Sequence, residues 1–117
     1  MFSLKNFRSY QLSLNLYRQC ETIKARGHLR DQLLRASLSV CLNLSEGSAK
    51  PSTKERLRFY AIALASIRET QTLLSLIPTS PTTRELADQT GACIYRLINP
   101  QKTCPQIQAQ KPEPSCA

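Results

Sequence analysis

Tryptophan is absent from the 117 residues, histidine and methionine occur once each, and glycine three times. Each scarcity removes a class. Three glycines and 6% aromatics disfavour a β-sandwich or barrel, which needs tight turns and aromatic or β-branched strands. A single histidine with scattered acids makes no zinc site and offers no Ser-His-Asp or Cys-His pairing. His28 stands beside Gly27 at a helix boundary, the place of a loop or cap residue. Glycines 27, 47 and 91 form no phosphate-cradling loop. The expectation is a protein that is not an enzyme, with no catalytic residue, cofactor or metal. No apolar run approaches the roughly 18 residues of a membrane span. The opening Met1-Phe2-Ser3-Leu4-Lys5 lacks an apolar signal region, so a cytoplasmic chain is expected. Cysteine is better represented, but no two of Cys20, Cys41, Cys93, Cys104 and Cys116 are close enough for a C-x-x-C motif. The first three occupy apolar positions of helical patterns, where a free thiol acts as a small hydrophobe.

What is present is helical periodicity. A first helix is predicted over 7–25, with stripes Tyr10, Leu14, Tyr17 and Leu12, Leu16, Cys20, Ile23, and with Gly27 just past its end. A second is predicted over 29–45, with Leu29, Leu33, Ala36, Val40 and Leu44 on one face, Leu34, Leu38 and Cys41 on another, and Gly47 closing it. A third over 53–77 begins with the capping box Ser52/Glu55 and stops at Pro78. Its faces are Leu57, Tyr60, Leu64, Ile67, Leu74 and Phe59, Ile62, Leu73. A fourth over 83–98 begins with the box Thr82/Glu85 and carries Leu86, Thr90, Cys93 and Leu97 on one face. Gly91 inside it either permits a close helix contact or is simply tolerated. From Asn99 onward, Pro100, Pro105, Pro112 and Pro114 stand among Gln, Lys and Ser, a composition that cannot bury a core.

The predicted fold class is therefore all-α: an antiparallel up-down-up-down four-helix bundle over residues 1–98, with a disordered Pro/Gln-rich tail over 99–117. The second apolar faces leave Leu34, Leu38, Phe59, Ile62 and Leu73 without partners in a single bundle. They are read as the interface of a homo-oligomer, the alternative being a wide buried face in a monomer.

Lys and Arg total 16 against 8 Asp and Glu, a formal charge of +8. Lys54, Arg58 and Arg68 fall on one stripe of the third helix, and Arg26, Arg30 and Lys50 lie near the ends of the second. These six are the candidate contacts to RNA or DNA, through phosphate neutralisation and not base reading. The alternative is a solvated basic surface. Between the apolar faces of the second helix runs a polar stripe, Gln32, Arg35, Ser39, Asn43 and Glu46. Asn and Ser in mid-helix need a reason to be there. A hydrogen-bonded seam between helices, with Arg35 pairing a neighbour's acid, is favoured over a ligand patch.

The segments Leu33-Leu34-Arg35-Ala36, Ser39-Val40-Cys41-Leu42-Asn43-Leu44-Ser45-Glu46-Gly47 and Arg58-Phe59-Tyr60-Ala61-Ile62-Ala63-Leu64-Ala65-Ser66-Ile67-Arg68-Glu69-Thr70 resemble the bacterial four-helix bundle family of 23S ribosomal RNA intervening-sequence proteins. The opening Phe7-Arg8-Ser9-Tyr10-Gln11-Leu12 is similar too. The resemblance covers roughly 7–98 and places Arg35, Ser39, Asn43, Glu46, Gly47, Ser66 and Glu69 on motif positions. It implies a four-helix bundle that assembles as a ring-shaped pentamer. More distantly it reaches the accessory protein of diversity-generating retroelements, which implies binding to nucleic acid or, as the rival reading, to a protein partner such as a reverse transcriptase. The chain departs from the family pattern in having Cys41 or Leu42 where many members have Pro, and Ala65 where they have Gly before the serine.

Overall fold

A computed structural model describes residues 4–100; the tail expected over 99–117 lies outside them from residue 101 on. A 3₁₀ turn, Leu4–Asn6, leads into α1 (Arg8–Glu21), α2 (Gly27–Ser48), α3 (Thr53–Leu76) and α4 (Pro81–Ile98). No strand occurs among the described residues. The chain is the predicted all-α four-helix bundle.

Its antiparallel order is written in contacts whose residue numbers run in opposite senses. Between α2 and α3, Arg35 meets Glu69, Ser39 meets Ser66, and Gly47 meets Phe59 and Tyr60. Between α3 and α4, Gln71 donates to Asp88 at 2.9 Å, while Gly91 faces Ile67. Between α1 and α4, Ser9 donates to the Cys93 sulfur, and Thr83 donates to Gln19 at 2.7 Å. Cys20 lies by Ser37 and Cys41 by Ser13 across α1 and α2.

The first apolar faces supply the core. Leu16, Leu33, Leu44, Ile67, Leu74 and Ile94 are essentially sealed from water, each contributing about 1.5–3 kcal/mol of transfer free energy. Buried hydroxyls return to the carbonyl one turn back, as Ser37 does to Leu33, Thr70 to Ser66 and Thr90 to Leu86. No buried side-chain polar atom among the described residues lacks a partner, so the desolvation cost of these hydroxyls is offset by hydrogen bonds.

Four boundary features differ from the sequence reading. The first helix ends at Glu21, not Ala25, because Arg30 reaches back from α2 and takes the Ile23 and Glu21 carbonyls at 2.6 and 3.1 Å. Gly27 is therefore not a left-handed terminator: it opens α2, and no described glycine has positive φ. Gly47 does not close α2 either. It is buried in the last turn, where its missing side chain admits α3. The cap of α4 is Ser80, whose hydroxyl accepts from the Thr83 N–H; Pro81 takes the first helical position, where its absent N–H is not missed. The Ser52 cap is in place, accepting from the Glu55 N–H at 3.1 Å.

Leu73 is a correction to the predicted interface. It is 8% exposed and belongs to the core, since α3 packs on both α2 and α4 and its buried arc is wide. Leu34 and Phe59 are half-buried, Leu34 against the core. Leu38 and Ile62 are 40% and 43% exposed, and Leu42 and Leu76, outside the predicted faces, are exposed as well.

Candidate nucleic-acid interface

Up-down topology sorts the charges by end. One end of the bundle is built from the starts of α1 and α3 and the finishes of α2 and α4. Phe7 and Tyr60, with ring centroids 5.8 Å apart, tie those two starts together. This end holds Lys5, Arg8, Lys50, Lys54, Arg56, Arg58 and Arg96 against Glu46 and Glu55. The opposite end holds Arg18, Lys24, Arg26, Arg30 and Arg84 against Glu21, Asp31, Glu85 and Asp88, which nearly cancel. Most of the excess positive charge of the described residues is thus at one pole.

The six predicted contacts do not form one site. Lys50, Lys54 and Arg58 lie at the basic pole. Arg26 and Arg30 begin α2 and so stand on the order of 30 Å away, given a rise of about 1.5 Å per residue. Arg30 is engaged with loop carbonyls. Arg68 is exposed farther along α3. Net charge and helical wheels did not reveal Arg8, Arg56 and Arg96 as members of this pole. The signal was available: in an up-down bundle, odd starts and even finishes share an end.

At the pole, Lys50 Nζ sits 5.1 Å from the centre of the Phe59 ring and Arg58 Cζ 5.5 Å from it, an arrangement favoured by the ring quadrupole. Lys50 also pairs with Glu46 at 3.2 Å. Arg56 donates to the carbonyls of Lys50 and Pro51 and to the Thr53 hydroxyl, and so braces the loop between α2 and α3.

The polar stripe lies along α2 and α3. Arg35 grips Gln32 Oε1 through two N–H groups, at 3.1 and 2.8 Å, and also pairs with Glu69. Ser39 and Ser66 share a hydrogen bond of 2.8 Å, and Asn43 donates to the Ser39 carbonyl and hydroxyl. Glu46 leaves this ladder for Lys50, and Gly47 beside it makes the close approach. Exposed ion pairs of this kind contribute about 0–1 kcal/mol, so the stripe sets register more than stability. Ala65 is exposed, so its methyl group meets no close helix contact within one bundle.

Two buried cysteines, Cys20 and Cys41, are chemically quiet. Burial pushes the Cys20 thiol up to about 11 and outweighs the hydrogen bond from Ser37. Burial raises Cys41 as well, against the lowering effect of Ser13. A thiol held protonated is a poor nucleophile and a poor metal ligand.

Fold and site together define a helical bundle with a basic pole and a polar inter-helix seam. The chain belongs to the 23S rRNA-intervening sequence protein family, whose model matches residues 7–90. That description names no catalytic activity. No curated protein and no solved structure matches the chain. No helix among the described residues is long and apolar enough to cross a membrane.

Proposed function

We propose that the protein is a non-enzymatic, cytoplasmic nucleic-acid-binding protein that grips RNA or DNA by its basic pole and works as a homo-oligomer. The observation that carries this reading is the charge segregation: seven cations against two acids at one end, five against four at the other. Phosphate neutralisation there releases counterions, which gives affinity without base reading. Exposed Leu38, Leu42 and Ile62 supply the surface between copies, and the pentamer implied by the sequence resemblance is the assembly expected. Such an assembly repeats the pole around its axis and multiplies the field.

The test is binding of labelled RNA and DNA at rising salt to the native chain, to Lys50→Glu/Lys54→Glu/Arg58→Glu, and to a Lys24→Glu/Arg26→Glu control at the other end. The first variant is expected to lose binding with helicity intact, and the control to keep most of it. Equal loss in both would overturn the assignment to the pole. Unchanged binding in both would overturn it as well, and absence of salt-dependent binding by the native chain would favour a protein partner, such as a reverse transcriptase, as the physiological ligand.

A further inference from the structure

Three side chains at the pole, Lys50, Arg58 and Phe59, form one unit. Lys50 and Arg58 both lie against Phe59, so their charges are no farther apart than the sum of the two ring distances. Long cationic side chains ordinarily lose rotamer freedom when they bind, and contact with a ring removes part of that loss in advance. The support beneath is firm. Arg56 ties down the carbonyls of Lys50 and Pro51, and a Cβ on Gly47 would lie only 3.0 Å from the Phe59 Cβ. The ion pairs among the described residues are Arg35 with Glu69 and Lys50 with Glu46, so one cation of this pair faces an acid and the other does not. The Glu46 carboxylate, 3.2 Å from Lys50 Nζ, occupies a donor that a phosphate oxygen would take.

Resting on the nucleic-acid reading above, we propose that Lys50 and Arg58, held by Phe59, clamp backbone phosphates of a nucleic-acid strand, and that Glu46 is the clamp's internal competitor. One or two neighbouring phosphates bridge the cations, and Lys50 exchanges Glu46 for phosphate as the strand arrives. Phe59 is a positioning residue: it fixes the cations and need not touch the ligand.

The experiment measures anisotropy of a short labelled single-stranded RNA on the full chain across a salt series, with inorganic polyphosphate as competitor. Glu46→Gln is a surface change that leaves the fold alone. It is expected to tighten binding about two- to fivefold, matching release of an exposed ion pair, and to steepen the salt slope by up to about one. Phe59→Leu is expected to weaken binding about two- to fivefold, and Phe59→Tyr to restore it. Polyphosphate should displace RNA from the native chain and from Glu46→Gln at a similar ratio of competitor to RNA, because the clamp reads phosphate. Unchanged affinity in Glu46→Gln overturns the clamp while the pole still binds. Absence of salt-dependent binding by the native chain overturns the clamp together with the reading beneath it.

Discussion

A Cβ on Gly47 would lie 2.7 Å from Cε1 of Tyr60, closer than real Cβ contacts come. The ring cannot yield, because Tyr60 is buried and packed against Phe7. Gly47→Ala is therefore expected to destabilise the bundle by about 1–3 kcal/mol, an overpacking effect that outweighs alanine's better helix propensity. Urea denaturation followed by circular dichroism measures it, and a variant as stable as the native chain would refute the close approach.

Gly91 gives the opposite sign. A Cβ there meets Gln71 Nε2 at 3.4 Å and Ile67 at 3.8 Å, ordinary contact distances. Gly91→Ala is expected to raise stability by up to about 1 kcal/mol through reduced backbone entropy of the unfolded chain. A higher urea midpoint at unchanged slope is the result to look for.

Alkaline pH should weaken the fold. Burial raises Cys20 from 9.0 to about 11, and moves Cys41 and Tyr60 upward in the same sense. Below pH 9 the Cys20 thiol is protonated in both states and contributes no pH dependence. Between 9 and 11 the unfolded chain ionises first, so it binds fewer protons and stability falls as pH rises, by roughly 2 kcal/mol for Cys20 at the upper end. Melting temperature followed from pH 8 to 10.5 should drop, and Cys20→Ala should flatten part of the drop. A native profile that is flat over this range would contradict the burial of these groups.

Leu38 and Leu73 separate surface from core. Leu73→Asp places a charge among buried apolar side chains and should unfold the chain, since a loss above about 4 kcal/mol is expected from an unpaired buried charge. Leu38→Glu with Leu42→Glu should leave helicity unchanged and reduce the particle mass in light scattering to the 13.2 kDa monomer. An unchanged assembly would remove these leucines from the interface.

The helices were readable because periodicity reports burial directly: Leu33, Ala36, Val40 and Leu44 lie on the buried side the spacing assigns them. Gly27 and Gly47 depart from their expected roles because sequence offers two uses for a glycine near a helix end, a left-handed cap and a close contact. Only the neighbour across the interface decides, and for Gly47 that neighbour is Tyr60, thirteen residues on. The first helix was overextended for a similar reason. What stops it is a guanidinium from the next helix, which no local pattern encodes. Leu73 looked spare on a helical wheel because the wheel does not say how many neighbours a helix has. The basic pole was invisible to a count of charge per helix, because it is assembled from four helix ends that only the topology brings together.

That gathering of cations makes the charge of the described residues uneven from one end of the bundle to the other, an electric dipole along the helix axes. Near a polyanion it experiences torque before contact and arrives already turned, pole foremost. A column of sulfonated beads should hold it by the same end, leaving the neutral tip facing the eluent.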